Sequence, residues 1–326
     1  MELEPKLVLG DRYRLLRRIG RGGQSEVWLG ERLATGQLVA VKALVSGSEP
    51  EPAVLERFVR EAQAISQLRH PNTVRLYDFG SGPAGYVFMV LEYIEGETLD
   101  SWLKVLARQG RVPTQAQVAD IASQVLRSLT EAHALGIVHR DIKPANVMLQ
   151  HVDGEAPTAR VVDFGIARVA QSTLTGHGRA IGTPAYMSPE QCMGRAIDGR
   201  TDLYSVGLLL YRCVAGRPPF EGNPMEIVAC HLNELPAPLE TTTQTSLSPQ
   251  FVEVVHRALT KSPDGRFANT VDMRRALESA AAMPLTVAAI QSAALSSAGD
   301  FASGVQSGVS FDMSTEFDVS SPKSRR

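Results

Sequence analysis

The hydrophobic pattern of this chain changes once along its length, and that change constrains the fold. From Tyr13 to about Tyr93, short β-branched or aromatic runs alternate with Gly and Thr-Gly turns, which predicts a meander of antiparallel strands. One helical pattern interrupts these strands at residues 51–67. From Leu99 onward helical patterns dominate. Strands followed by helices predict an α+β architecture with a small β-rich lobe and a larger helical lobe.

Glycine stops and changes of composition set the expected boundaries. We predict an N-terminal extension at residues 1–12, a small lobe at 13–93 and a large lobe at 97–282. Gly110 and Gly136 are expected to end the first two helices of the large lobe, the second of which is long and amphipathic. Further helices are predicted at residues 202–215, 224–233, 249–260 and 270–282.

Residues 283–326 differ in composition from the rest of the chain. They are rich in Ser, Ala and Gly, and their apolar residues keep no steady period beyond about Leu295, which predicts a mostly disordered tail. Two interpretations stay open: a passive linker, or a segment that regulates through its serines or docks through its "SPKSRR" end. A short helix around "LTVAAIQSAAL" would pack on the large lobe.

Composition excludes several classes of protein. Lys and Arg number 33 against 35 Asp and Glu, and the net charge of −2 argues against a general nucleic-acid-binding protein. The most apolar stretch, "SVGLLLYRCVAG", is shorter than the roughly 18 residues of a membrane span and contains Arg212, so a buried helix is expected. Cys192, Cys213 and Cys230 match neither a zinc site nor a redox pair. Without a secretory signal, these features favour a cytoplasmic location.

A glycine-rich turn between two predicted strands has the chemistry of a phosphate-binding loop. Gly20 and Gly22 stand at G-x-G spacing and Gly23 follows, so backbone N–H groups can approach phosphate oxygens closely. Taken alone, the same pattern also fits an ordinary hairpin turn. It is not a Walker loop, because the glycines join strand to strand and no G-x-x-x-x-G-K-[ST] occurs.

Lys42 lies inside the apolar run "VAVK", with Ala40 on the same side of the predicted strand. A lysine is costly to bury without an anionic partner. Glu61, on the predicted helix, is a fitting partner. The alternative is a surface lysine on the polar face of an edge strand.

The stretch "IVHRDIKPANVML" gathers charged and amide side chains between apolar residues, among them Asp141 and Asn146. Taken alone, the stretch also fits a solvent-exposed loop that carries polar side chains. The same holds for "DFG" at residues 163–165, which is also typical of a β-turn. The presence of both stretches in one chain favours a chemical centre.

Taken in order, these motifs resemble those of the eukaryotic-like serine/threonine protein kinases, and especially the bacterial Hanks-type branch. The resemblance covers residues 13–282 and implies a bilobal protein kinase fold. It rests on seven stretches: "GRGGQSEV", "VAVK", "HRDIKPAN", "DFG", "GTPAYMSPE", "DLYSVG" and "PDGRF".

The resemblance assigns the charged residues to phosphoryl transfer. Asp141 would accept or orient the proton of the substrate hydroxyl, and Lys143 would reach the γ-phosphate. Lys42 would hold the α- and β-phosphates and pair with Glu61. The implied cofactors are ATP and Mg²⁺, or Mn²⁺ in its place. The implied partners are protein substrates with Ser or Thr acceptors.

The resemblance also places the metal ion and the nucleotide. Asn146 and Asp163 would bind the metal through hard oxygen ligands. Leu91 would lie at the back of the adenine pocket, and backbone groups of Glu92 and Tyr93 would bind the adenine edge, while apolar side chains sandwich the ring. The implied nucleotide-binding set is Ile19, Gly20, Arg21, Gly22, Gly23, Gln24, Ser25, Glu26, Val27, Ala40, Lys42, Leu91, Glu92, Tyr93 and Met148.

Activation and substrate class follow from the same resemblance. Lys143 and Thr183 match the pattern of serine/threonine-specific members, and "GTPAYMSPE" shapes a peptide-binding surface in the family. Between Asp163 and Glu190 the chain carries candidate autophosphorylation sites. They are Thr173 or Thr175, with Ser172 as a less favoured third candidate.

Four residues match structural positions of the family. Arg140, beside Asp141, can bind a phosphate placed on the preceding segment. Asp202 matches a buried aspartate that holds the backbone of the catalytic loop, and Glu190 and Arg266 match an anchoring ion pair.

The chain departs from the family pattern in three places. Ser25 occupies the third glycine position of the phosphate loop, which predicts altered nucleotide affinity. "SPE" replaces "APE", a minor change. Residues 149–162 are slightly long, which predicts an extended hairpin away from the chemistry.

Two other functions remain alternatives at this point. One is a pseudokinase scaffold, against which the retained Lys42, Asp141, Asn146 and Asp163 argue. The other is a kinase-fold enzyme for small molecules, against which "GTPAYMSPE" argues. A regulatory partner or self-association stays open.

Overall fold

In the described part of the small lobe, six strands form an antiparallel sheet in the order β1-β2-β3-β4-β6-β5. The structure is a computed structural model that describes residues 3–22, 25–44, 52–81, 87–151, 154–164, 184–239 and 246–282, all within the unit Met1–Pro284. The strands are β1 (Val8–Leu9), β2 (Tyr13–Arg21), β3 (Ser25–Arg32), β4 (Leu38–Leu44), β5 (Leu76–Ser81) and β6 (Val87–Glu92).

Several residues that the sequence singles out lie outside the described ranges. They are Gly23, Gln24, Gly165, Ser172, Thr173, Thr175, Thr183 and the whole of segment 283–326.

Strand β4 shows why this part of the chain forms a sheet and where the sheet's core lies. Val39, Val41 and Ala43 alternate along the strand and have no exposed surface. Ala40 and Lys42 point to the opposite face and are half-buried. The period of two therefore places Lys42 on the face that turns away from this cluster of valines and alanine.

The residues before Tyr13 belong to the same sheet. Leu9 is fully buried, and Leu3 joins it in the cluster behind the sheet that also contains Leu15 and Trp28. The predicted N-terminal extension therefore includes strand β1 and contributes apolar surface to the small lobe.

One helix, α1 (Pro52–Gln67), packs against the other face of the sheet. Phe58, Ala62 and Ile65 recur at helical spacing, are buried and share a core cluster with Met89. Glu61 is also buried on this helix, which brings its carboxylate inside the lobe.

The large lobe is helical, as the sequence pattern predicted. Gly110 and Gly136 follow the first two helices with φ of 65° and 72°, the left-handed conformation that a glycine stop provides. Helix α5 begins two residues before the predicted position, and α7 ends two residues before it. The helices are α2 (Leu99–Arg108), α3 (Gln115–Ala134), α4 (Pro189–Cys192), α5 (Arg200–Ala215), α6 (Pro224–Asn233), α7 (Pro249–Ala258) and α8 (Thr270–Ala282).

Helix α5 is the centre of the large lobe, because nearly every one of its residues is buried. The prediction of a buried helix for "SVGLLLYRCVAG" is therefore confirmed. No helix within the described ranges is both long enough and apolar enough to cross a bilayer.

Within residues 97–282, three short strands form a second sheet in the order β7-β8-β9. Its strands are β7 (Glu97–Thr98), β8 (Val147–Gln150) and β9 (Thr158–Val161). The antiparallel pairing of β8 with β9 confirms the predicted hairpin. Thr73, in the connection from α1 to β5, bridges to Val161 of β9, so this sheet also contacts the small lobe.

A buried ion pair ties α4 to the rest of the large lobe. Two nitrogens of Arg266 donate to the two carboxylate oxygens of Glu190 at 2.8 and 2.9 Å. The Arg266 side chain has no exposed surface, and Thr201 donates a further hydrogen bond of 2.7 Å to Glu190. The guanidinium also donates to the main-chain carbonyls of Arg200, Thr260 and Lys261.

We expect Arg266→Ala to lower the free energy of unfolding by about 3–5 kcal/mol, because it leaves the Glu190 carboxylate buried without its cation. Urea unfolding measures the change. Lys104→Ala is the matched control, since its pair with Asp100 is exposed and is worth less than about 0.5 kcal/mol. Equal losses in the two variants would contradict the structural role of the buried pair.

The fully buried His231 makes stability depend on pH. Burial lowers the pKa of His231 from 6.5 to about 4, so the unfolded chain binds a proton at higher pH than the folded one. The stabilisation is complete above pH 6.5 and is lost as the pH falls towards 4. From pH 7 to pH 5 the loss from this group is about 2 kcal/mol.

We expect the free energy of unfolding of His231→Gln to fall less over that pH range than that of the wild type. Urea unfolding at the two pH values gives both differences. Identical pH dependence in the two proteins would show that His231 takes up its proton equally in the folded and unfolded states.

Candidate active site

The site is built around the ammonium group of Lys42. Its Nζ donates to Glu61 Oε1 at 2.7 Å and to Asp163 Oδ1 at 3.1 Å. Strand β4 supplies the lysine, α1 supplies Glu61, and Asp163 follows β9. The side chains of Lys42 and Glu61 are 12% and 10% exposed, whereas that of Asp163 is 45% exposed. The carboxylate of Asp163 therefore reaches the open side of the site.

The three groups shift one another's ionisation. Burial disfavours the charged ammonium, but the charges of Asp163 and Glu61 outweigh it and raise the pKa of Lys42 above its usual value. Burial raises the pKa of Glu61, and Lys42 offsets part of that rise. The Lys42 charge lowers the pKa of Asp163. At neutral pH the lysine is positive and Asp163 is negative.

Asp163 is held in a strained backbone conformation. Its φ is 54°, in the left-handed region that a non-glycine residue rarely adopts. The next residue, Phe164, is fully buried, and its ring lies 4.5 Å from that of His139. Burial of the neighbouring phenylalanine offsets the strain and keeps the Asp163 carboxylate directed at Lys42.

The loop before β8 places three polar side chains together. Lys143 Nζ donates to Asp141 Oδ2 at 2.7 Å. The amide nitrogen of Asn146 donates to the main-chain oxygen of Asp141 at 2.8 Å and to its Oδ2 at 3.0 Å. Asn146 lies in the short 3₁₀ turn Pro144–Asn146, which folds the loop back onto Asp141. The Asp141 carboxylate is thereby oriented and kept beside a cation.

Asp202 fixes the backbone just before Asp141. The Asp202 side chain is fully buried, and its oxygens accept hydrogen bonds from the N–H groups of His139 at 2.9 Å and Arg140 at 2.8 Å. His133 Nε2 lies 2.8 Å from the same carboxylate. Arg140 has φ of 70°, so these bonds stabilise a second left-handed residue next to Asp141.

The structure brings most of the described members of the predicted nucleotide-binding set to the strands around Lys42. Val27 pairs with Lys42 and Gly20 across neighbouring strands, and Ala40 pairs with Leu91. In the glycine-rich turn, the N–H of Gly22 donates to the Ser25 carbonyl at 2.7 Å. The remaining described members of this sheet are Ile19 and Arg21 on β2, Ser25 and Glu26 on β3, and Glu92 and Tyr93 at and after the end of β6. Met148 lies on β8, in the three-stranded sheet.

Glu26 does not share a face with Val27. Its side chain is buried behind the sheet, where it accepts hydrogen bonds from Arg18 at 2.8 Å and from the indole of Trp28 at 3.0 Å. Strand alternation explains the difference, because successive residues point to opposite faces. Glu26 can therefore meet a nucleotide through its backbone, and its side chain serves the small lobe.

Both the N–H group and the carboxylate of Glu92, at the end of β6, already have partners within the protein. Its N–H donates to the Arg75 carbonyl at 2.9 Å, and its carboxylate receives both terminal nitrogens of Arg160 at 3.1 Å. The carbonyl of Glu92 is thus the group that an adenine edge would use. The ion pair joins the end of β6 to strand β9.

Sequence reasoning missed three residues that hold this site. His133 contacts Asp202, the Gln191 side chain donates to the Arg140 carbonyl at 2.9 Å, and Arg160 contacts Glu92. Arg160 carried a usable signal, since it is a cation between buried residues of a strand, as Lys42 is. His133 and Gln191 lie on helices and carried none.

Comparison with known proteins assigns the family. The family model for the protein kinase domain matches residues 13–279 of this chain. The chain is 39% identical over 281 residues to serine/threonine-protein kinase Pkn1 of Myxococcus xanthus. This alignment covers 85% of this chain and 39% of Pkn1. It is 38% identical over 274 residues to PknB of Mycobacterium leprae, covering 82% of this chain and 42% of PknB. The chain thus spans about two fifths of the length of these relatives.

A solved structure shows the same fold. The crystal structure of the Mycobacterium tuberculosis PknI kinase domain superposes with a TM-score of 0.67 at 25% identity, covering 85% of this chain and 99% of that one. The predicted bilobal α+β fold is therefore confirmed. Because the family model covers most of the sequence and the relatives are bacterial serine/threonine kinases, the chain belongs to the protein kinase family, as its motifs predicted.

Proposed function

We propose that this protein is an active serine/threonine protein kinase, which transfers the γ-phosphate of ATP to hydroxyl groups of proteins. One observation supports this proposal above others. Lys42 lies within hydrogen-bond distance of Glu61 and Asp163, which are 19 and 121 positions away in the sequence. A non-catalytic scaffold has no need of this convergence beside an oriented Asp141.

Asp141 is the group suited to the acceptor hydroxyl. Its carboxylate is oriented by Lys143 at 2.7 Å and by Asn146 at 3.0 Å. As the acceptor oxygen bonds to the γ-phosphorus, the bond from that phosphorus to the ADP oxygen breaks and the hydroxyl proton passes to Asp141. The Lys143 ammonium neutralises charge on the transferred group.

The donor set fits a hard divalent cation. With all three groups ionised, Lys42, Glu61 and Asp163 carry a net charge of −1, which favours a cation near the exposed Asp163 carboxylate. The two hydrogen bonds of Asn146 to Asp141 use its amide nitrogen, so the amide oxygen is its group for a metal. In the described ranges no group of three or more His, Cys, Asp or Glu side chains is placed to hold a metal. Two protein ligands plus phosphate oxygens suit Mg²⁺, with Mn²⁺ as a substitute.

The reaction needs ATP and a protein acceptor, which points to the inside of a cell. Cys192, Cys213 and Cys230 are all free thiols, and this is the usual state in a reducing cytosol. We therefore place the kinase and its protein substrates in the cytoplasm.

We expect Asp141→Asn to lower the rate of phosphate transfer by about 10²–10⁴-fold, because the amide cannot take the proton. Incorporation of labelled phosphate from ATP and Mg²⁺ into histone, a generic basic acceptor, measures the rate. Lys42→Met is expected to lower it comparably by removing the phosphate-binding cation.

Lys104→Met is the matched control, since Lys104 is an exposed lysine on α2 and should keep the wild-type rate. Equal transfer by wild type and Asp141→Asn would sink the proposal. Transfer to a small molecule but not to histone would favour the alternative of a small-molecule kinase.

We also propose autophosphorylation between Asp163 and Glu190, at Thr173 or Thr175, with Ser172 as a third candidate. The proposal rests on the sequence of this segment and on Arg140, which precedes Asp141 and can bind a phosphate. Mass spectrometry after incubation with Mg-ATP is expected to find phosphate there on the wild type and none on Asp141→Ala. Equal phosphate on both proteins would rule autophosphorylation out.

A further inference from the structure

Helix α6 carries a fully buried histidine that the proposed reaction does not use. His231 has no exposed surface, and its Nδ1 lies 3.0 Å from the hydroxyl of Tyr204 on α5. The ring of Phe220 meets it edge to face at a centroid distance of 5.0 Å. Lys261 lies over the Phe220 ring at 4.7 Å, and its charge adds to the burial that keeps the imidazole neutral.

The second nitrogen of this imidazole makes no hydrogen bond of good geometry. Among the described residues, His231 Nε2 is one of the few buried side-chain polar atoms without a hydrogen-bond partner. In a neutral imidazole one nitrogen carries the proton. When the Tyr204 hydroxyl donates to Nδ1, the proton is on Nε2. A buried N–H donor without an acceptor is costly, so such a group calls for a role.

The acceptors nearest to this imidazole belong to the turn Pro184–Tyr186. The backbone of Pro184 and of Ala185 interacts weakly with the imidazole and opposes the fall in the pKa of His231, but neither contact reaches hydrogen-bond geometry at Nε2. At the Tyr186 end of the turn, Ser205 of α5 donates a hydrogen bond of 2.9 Å to the Tyr186 carbonyl. His231 therefore lies next to the Pro184 and Ala185 end of the turn, within the stretch "GTPAYMSPE". The Pro184 carbonyl accepts one hydrogen bond there, from the Met187 N–H at 3.0 Å, and can accept a second.

We propose that His231 is a positioning residue for the protein substrate. Its Nε2–H binds a main-chain carbonyl of the turn Pro184–Tyr186 when an acceptor peptide lies on that turn. Through this bond, helix α6 fixes the position of the turn, and so of a peptide bound on it, relative to Asp141. The inference rests on the proposed protein kinase activity and adds to it a group that acts through the turn and does not touch the phosphate.

Two variants separate the two nitrogens of the ring. In His231→Asn the amide takes the place of Nδ1, so Tyr204 keeps a partner while nothing occupies the place of Nε2. In His231→Gln the longer side chain places an N–H near Nε2. We expect His231→Asn to raise KM for histone roughly fivefold to tenfold, with kcat and the KM for ATP within about twofold of wild type. His231→Gln should restore most of the loss.

A wild-type KM for histone in His231→Asn would overturn the proposal. So would an equal defect in both variants, or a rise in the KM for ATP, since either result would show a general structural role. Wild-type protein that transfers no phosphate would instead sink the proposed function.

A measurement on the unaltered protein covers the case in which a variant fails to fold. With ¹⁵N-labelled histidine, NMR is expected to show the His231 proton on Nε2 and a hydrogen-bond shift of that signal when histone is added. A proton on Nδ1, or a signal that histone leaves unmoved, would overturn the proposal.

Discussion

The contact of one ammonium with two carboxylates is the interaction on which this structure depends. Lys42 cannot be buried alone in β4, because desolvation of its charge would destabilise the small lobe. Glu61 supplies the first counter-charge from α1, and Asp163 supplies the second from the segment after β9. The pairing therefore sets the position of α1 against the sheet. It also sets the position of Asp163 relative to the sheet and to α1. A shift of α1 would separate Glu61 from Lys42 and leave the proposed phosphate-binding cation without one of its two carboxylate partners.

The large lobe holds its side of the site with buried carboxylates that are hydrogen-bonded to named partners. Asp202 accepts from two backbone N–H groups and contacts His133, which offsets the strain of Arg140 at φ 70°. Glu190 and Arg266 satisfy each other at the start of α4. Such pairs add little net stability over an apolar core, but they are directional. They orient the loop that carries Asp141 where apolar packing would leave it free to slide.

Much of the fold was predictable because it depends on local periodicity. The alternation of β4 and the helical spacing of α1 are visible in the sequence, and Gly110 and Gly136 end helices as expected. The two-residue strand β1 is too short to produce a pattern, so its place in the sheet was missed. The nucleotide contact that the motif implied for Glu26 stays a prediction, but strand alternation turns its side chain behind the sheet, which the motif did not indicate.

By itself the sequence determined the order of strands and helices, the need of Lys42 for an anionic partner, and the motifs of a protein kinase. The tertiary structure alone decided which side chains meet: Arg160 with Glu92, His133 with Asp202, and His231 with Tyr204 beneath the turn Pro184–Tyr186. The physical reason is one of range. Periodicity and turn chemistry act over a few residues, whereas these contacts join positions 27 to 69 residues apart and depend on the path of the whole chain.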